Sequence, residues 1–164
     1  MNLQSKFTVY VAIGAMFALM GGIVYYASLD NPSLEQAEIK LHEVKVVNVN
    51  TVDNLAQLEI SFLVKNPSEK TFTVPLITFE LFANGEHIGT GQYSTTDVSM
   101  PGRAAFFGGT EIPLKTLFEI ARSDIKSDTY QNIIDEEDVE FSAEGIITVE
   151  TAWSLIEKEF KSSI

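Results

Sequence analysis

Few residues in this chain have the types and spacing that do chemistry. His42 and His87 are its two histidines, and there is no cysteine. Thiol catalysis and cysteine-based metal sites are thereby excluded. No paired-histidine motif or Gly-x-Ser-x-Gly turn accompanies either imidazole, so both read as surface or internally satisfied residues rather than catalysts. The run Asp135-Glu136-Glu137-Asp138 offers oxygen ligands of the kind Ca²⁺ and Mg²⁺ prefer, but without the spaced ligands and turn glycine of an EF-hand loop. It reads as a solvated loop. Gly108-Gly109 follows two phenylalanines and is not directly followed by a basic residue or a Lys-Ser or Lys-Thr pair, which makes it a turn or bulge rather than a phosphate cradle. No cofactor and no enzymatic activity are expected.

The elements that would position any site begin with residues 7–27, which carry no charged side chain. As a helix, 21 such residues measure about 31 Å, close to the hydrocarbon thickness of a bilayer. A buried core helix would show one apolar face, whereas Val9, Val11, Ile13, Phe17, Leu19, Ile23 and Val24 cover every side. Lys6 precedes the segment, and Asp30, Glu35 and Glu38 follow before the next lysine. That charge bias leaves residues 1–6 in the cytoplasm and sends the remainder outward. A cleaved signal peptide is the rival. Against it stand the length of the apolar run and the lack of a small-x-small pattern at Tyr25-Tyr26-Ala27-Ser28. The expectation is an uncleaved signal anchor over 7–29, with Tyr25 and Tyr26 at the outer interface. Without a following cysteine, an acylated-cysteine anchor does not apply. Gly14, Ala18 and Gly22 recur every four residues and would let a second membrane helix approach closely, although such small residues are common in membrane helices.

Beyond residue 29 lie all 23 acidic residues and 10 of the 11 basic ones, a formal charge of −13 on about 135 residues. One domain fits that length. Its charge repels polyanions, so nucleic acid is not an expected partner. Asn31-Pro32-Ser33 and Asn66-Pro67-Ser68 are both blocked as glycosylation sites by their proline.

Residues 30–37 read as a short polar stalk permitting some swivel, and 38–164 as the domain. Its dominant period is two. Ile39 and Leu41 change phase to Val44 and Val46, as a bulge would require. Ala56, Leu58, Ile60, Phe62 and Val64 alternate with polar residues, and Asn66-Pro67 stops that strand. Ile77, Phe79 and Leu81 resume the alternation, and Asn84-Gly85 supplies the positive-φ pair of a tight hairpin before Ile88 to Tyr93. Residues 102–107 read as a further strand, in which Phe106 and Phe107 must point to opposite sides. Leu114, Leu117, Phe118, Ala121 and Ile125 follow helical spacing, which predicts a helix of roughly three turns. Val139, Phe141, Ala143, Gly145, Ile147 and Val149 alternate again. Residues 153–160 fit either period from their own pattern.

The segment from Phe62-Leu63-Val64-Lys65-Asn66-Pro67-Ser68 through Phe79-Glu80-Leu81-Phe82-Ala83-Asn84-Gly85-Glu86-His87-Ile88-Gly89-Thr90-Gly91 resembles the group-2 late embryogenesis abundant family, the LEA14-like or water-stress and hypersensitive-response (WHy) domain. The likeness continues through Pro101-Gly102, Ile112-Pro113-Leu114 and the strand containing Gly145, and covers nearly all of 38–164. The family turn reads Asn-Pro-Asn where this chain has Asn66-Pro67-Ser68, a change that still caps a turn. The resemblance implies a mostly β fold: a fibronectin type III-like β-sandwich of about seven strands and one helix, with 153–160 as its closing strand. It also implies association with desiccation, freezing and osmotic stress. Membrane-anchored forms similar to this chain occur among archaea and plants.

Three functions follow as expectations. The first is a non-catalytic, membrane-anchored, extracytoplasmic protector against desiccation. The second is a structural or interaction subunit of a membrane or cell-envelope complex, with a membrane-protein partner at the small-residue stripe. The third is a lipid-binding module with an apolar cavity opening near the membrane.

Overall fold

The computed structural model describes residues 3–95, 104–135 and 137–164, with side chains in the first helix from Lys6 onward. Pro101, Gly102, Arg103 and Glu136 of the sequence motifs lie outside the described residues. In chain order the elements are α1 (Leu3–Ser28), α2 (Asn31–Leu34), β1 (Glu38–Asn50), β2 (Leu55–Lys65), β3 (Phe72–Ala83), β4 (Glu86–Ser94), β5 (Ala105–Phe106), β6 (Glu111–Ala121), α3 (Ser127–Ile134), β7 (Phe141–Glu150) and β8 (Leu155–Ser163). The strands form two antiparallel sheets, β1-β2-β6 and β4-β3-β7-β8, with β5 paired to the start of β3.

Alternation on both sheets builds the core. Ala56, Leu58, Ile60, Phe62 and Val64 of β2 are without solvent exposure, as are Ile77, Leu81 and Ala83 of β3 and Ala143, Ile147 and Val149 of β7. Phe62 meets Phe79 edge-on at 4.9 Å and Phe160 at 5.6 Å, so one ring from the first sheet touches two strands of the second. The phase change in β1 is a bulge: Leu41 pairs with Phe62 and Glu43 with Ser61, leaving His42 as the extra residue. A second register shift falls between Val46 and Asn48. Both strand prolines sit where their missing N–H matters least. Pro113 is on β6, an edge strand, and Pro75 lies in the register shift between Thr73 and Leu76 of the β3–β7 ladder.

Mostly β, eight strands in two sheets and a helix within the domain match the expected class, with the short β5 raising the strand number. The position of the helix does not match. Residues 114–121, expected as helix, belong to β6, whose eleven residues pair with β2 from Glu111↔Lys65 to Ala121↔Leu55 without a shift. The inward series is Ile112, Leu114, Thr116, Phe118 and Ile120, while Leu117 is 60% exposed. A polar residue on the inner face and an apolar one on the outer face together imitate helical spacing. Thr116 is tolerated there because its hydroxyl donates to the Gln92 carbonyl of β4 at 2.9 Å. The helix is α3, eight residues that bury Tyr130 and Ile133. The closing strand is β8, and Trp153 lies in the turn before it.

Candidate functional site

Register divides the sandwich into two ends. One gathers the start of β1, the 66–72 loop, residues 104–111 and the β7–β8 turn. The other gathers the Asn84-Gly85 hairpin, α3 and the end of β8.

At the first end stands Asn66, wholly buried and fully bonded. Its Nδ2 donates to the Lys70 and Phe106 carbonyls, both at 2.7 Å. Its Oδ1 accepts from the Ser68 N–H at 3.0 Å and the Ser68 hydroxyl at 2.8 Å. Its backbone N–H donates to the Thr110 carbonyl, and its carbonyl accepts from the Gly109 N–H. One amide thus ties the loop after β2 to the turn after β5. Pro67 interrupts the ladder, and Ser68 caps the turn by accepting from the Lys70 N–H at 3.3 Å. Gly108 lies against the backbone of Ser68 and Glu69, and Gly109 adopts φ +78°, so the glycine pair makes a turn.

Residues 30–37 pack onto this same end, which removes the freedom expected of a stalk. Leu34 and Ala37 are without exposure. Lys158 of β8 donates to the Glu35 and Ala37 carbonyls at 2.9 and 2.8 Å, Lys70 pairs with Asp30 at 3.2 Å, and the Ser154 hydroxyl donates to Asn31 Oδ1. Only Leu29 and Asp30 separate α1 from α2, and Asp30 is itself held by Lys70. Helix α1 is long and apolar enough to cross a membrane, and its apolar side chains are exposed all round. Gly14 and Gly22 have open space beyond them, and Ala18 is exposed between them.

At the far end the hairpin is as expected, with Asn84 at φ +50° and Gly85 at +78°. Asn84 also exchanges bonds with Glu140, by backbone N–H to the Glu140 carbonyl at 2.8 Å and by Oδ1 from the Glu140 N–H at 3.0 Å. Next to it, Glu86 braces the start of α3, whose N-cap Lys126 makes no side-chain cap bond. Its carboxylate accepts from the Thr129 hydroxyl at 2.6 Å and the Lys126 N–H at 3.1 Å, with the Lys126 ammonium at 3.5 Å. Those contacts, the Thr129 hydroxyl first, hold its carboxyl below the usual carboxylate range. A folded pKa below the unfolded one adds stability that is present above the ordinary carboxylate pKa and lost as pH falls through the folded value. Glu86→Gln is therefore expected to lower the thermal midpoint at pH ~7 and to lose that deficit progressively as pH falls below the ordinary carboxylate value toward pH ~3. Thermal melts at the two pH values check this, and an equal deficit at both would contradict it.

Other polar groups do not converge. His42 and His87 are exposed, and His87 Nε2 stands 3.9 Å from Glu80. Asp135 ends α3 and accepts from the Gln131 side chain at 2.9 Å. Among the described residues no three His, Asp or Glu side chains form a group that could hold a metal. A shallow trough of about 650 Å³ crosses the outer face of the second sheet between Glu80, Glu144 and Glu159, its one lysine, Lys161, bound to Glu144 at 2.7 Å. A cleft of about 480 Å³ between β1 and α3, lined by Val44, Leu58, Ile133 and Phe141, opens at the end away from residues 30–37. An apolar pocket beside the anchor was the expectation for lipid binding; this cleft lies at the other end, and the hollow of about 440 Å³ at the anchor end is lined by Thr71, Phe72, Thr73, Glu150, Thr151 and Ala152, a mixed rather than an apolar wall.

No protein-family model and no curated protein matches the chain. Solved structures do match. An Arabidopsis thaliana protein determined in solution superposes with a TM-score of 0.53 at 16% identity, covering 77% of this chain and 80% of that one. The fold is shared. A crystal structure from Archaeoglobus fulgidus gives 0.46 at 16% identity over 76% of this chain and 94% of its own. A solution structure of a candidate late embryogenesis abundant (LEA) protein gives 0.48 at 13% identity over 100% and 92%.

Three features of the structure were not legible in the sequence: the docking of 30–37, the bracing of α3 by Glu86, and the exposure of Trp153. That one ring of Phe106 and Phe107 faces outward was legible from their adjacency. Phe106 is buried and stacked on Phe72 at 5.3 Å, while Phe107 is 62% exposed.

Proposed function

We propose that the chain is a single-pass membrane protein, anchored by uncleaved α1, that presents a non-catalytic acidic sandwich of LEA14-like type outside the cytoplasm. There it limits coalescence of neighbouring proteins and membranes as water is withdrawn. The observation that carries this reading is the junction: an apolar helix of membrane length joined through two residues to a segment locked onto an acidic domain. Net charge of one sign keeps such surfaces apart and hydrated. Surface lysines such as Lys115, paired with Glu59 at 2.6 Å, are already engaged, which leaves carboxylates in excess. The buried polar residue Asn66 is spent on holding loops together, which fits a scaffold better than a catalyst.

The test uses the full chain in phosphatidylcholine vesicles during freezing and thawing with a freeze-sensitive enzyme. The enzyme is expected to retain more activity than with vesicles carrying an equal mass of an unrelated single-span protein. Equal losses would count against protection. A second reading, a subunit of an envelope complex, would use the four-residue spacing of Gly14, Ala18 and Gly22 to admit a second membrane helix. Crosslinking in native membranes separates the two, since a stoichiometric partner supports the subunit.

A further inference from the structure

The end of the sandwich that carries residues 30–37 also carries three exposed apolar side chains: Trp153 at 66%, Phe107 at 62% and Leu155 at 57%. They come from two separate chain segments. Trp153 lies in the β7–β8 turn and Leu155, across Ser154 from it, opens β8, while Phe107 follows β5, held beside the 66–70 loop through Asn66. The turn is internally fixed, because the Thr151 hydroxyl accepts from both the Trp153 and Ser154 N–H groups at 3.3 and 3.1 Å. A ring at a rigid turn tip stays exposed unless something outside the domain covers it.

The chain itself says what lies there. Ser154 bonds to Asn31, and Asn31 is three residues beyond Ser28, the last residue of α1. Three residues reach at most about 11 Å when extended. Here they are shorter, since Leu29 N–H donates to Tyr26 and Asp30 N–H to Ala27, continuing the helical turn. The headgroup layer of a bilayer is itself about 5–8 Å deep on each side. If α1 spans, Trp153 must sit at the level of that layer, near Tyr25 and Tyr26, which are also exposed. Tryptophan and tyrosine favour this depth because one part of the ring system is apolar and another donates hydrogen bonds.

We propose that Trp153, Phe107 and Leu155 form a foot that seats the proximal end of the sandwich in the lipid headgroup layer, so that the domain rides on the membrane surface. This rests on the anchoring reading above. Contact is through apolar and aromatic groups, because the exposed charges at the same end are of mixed sign, Glu35, Glu38, Glu69 and Glu111 beside Lys40, Lys65 and Lys70, and offer no concentrated positive charge to anionic headgroups. A neutral phosphatidylcholine surface is accordingly the matching partner.

Trp153 is the single tryptophan of the chain, so its fluorescence reports on the foot alone. The full chain is placed in phosphatidylcholine vesicles whose acyl chains carry bromine near the headgroup or near the bilayer centre, and the same vesicles are washed with alkaline carbonate. The expected result is retention after the wash, emission shifted to the blue, and quenching by shallow bromine about twofold stronger than by deep bromine. Retention with water-exposed, unquenched emission overturns the foot and leaves anchoring intact. Release by carbonate overturns both. A Trp153 shielded in native membranes but not in pure lipid would assign the patch to a protein partner and overturn the lipid contact.

Discussion

Replacing Asn66 with Asp is expected to cost the domain most of its stability. The Asn66 amide donates to two carbonyls at 2.7 Å from inside the protein. A carboxylate at that place would set a negative charge against both oxygens with no solvent to screen it, and it could avoid this only by taking up a proton. Even Asn66→Ala removes four buried side-chain hydrogen bonds, to the Lys70 and Phe106 carbonyls and from the Ser68 N–H and hydroxyl, a loss of about 3 kcal/mol and a fall in thermal midpoint of about 10 °C. The Asp variant should exceed that and unfold near neutral pH, because an uncompensated buried charge is costlier than an orphaned neutral group. Ser68→Asn, which puts another turn-forming side chain at that place, serves as the control and should fold. Circular dichroism melts in detergent read all three, and an unchanged midpoint for the Asp variant would show that Asn66 is not the tie between its two loops.

Gly145 carries the second large effect. It lies opposite Phe79 in the β3–β7 ladder, where an added Cβ would stand 2.0 Å from the Thr78 carbonyl oxygen and 2.7 Å from the Phe79 Cα. Both neighbours are backbone, so no rotamer change relieves the contact. Gly145→Ala must therefore pry the central strands of the larger sheet apart, at about 3 kcal/mol or more. Gly14→Ala, which meets nothing within 4 Å, should leave the domain's melt unchanged. Comparable melting of the two variants would mean that the strands are not this close.

Legibility in the sequence followed the distance over which each feature is determined. The alternations of β2, of β3 from Ile77 to Leu81 and of β7 are local and unbroken, and each of those runs lies in a strand as its pattern requires. The Asn84-Gly85 hairpin was legible for the same reason, since two adjacent residues decide its conformation. The β6 segment was misread because Thr116 and Leu117 exchange their usual faces, and the hydroxyl partner that permits this, Gln92, lies on another strand. Helix α3 has only eight residues and is braced by Glu86, 40 residues before Lys126. Asn66 was legible as a turn residue and not as a tie, because Phe106 is likewise 40 residues away. In residues 30–37 two apolar side chains, Leu34 and Ala37, are scattered among polar ones and show no period, so nothing local announces that they are buried.

The account depends on where the acidic domain lies relative to the bilayer. Because the chain has no cysteine of its own, one introduced thiol can be labelled without background. Ser123→Cys places it on the exposed segment before α3, at the end of the sandwich away from the anchor. The decisive measurement is labelling of intact cells by a membrane-impermeant maleimide. Full labelling before permeabilisation is the predicted result, and labelling that requires permeabilised cells would contradict it.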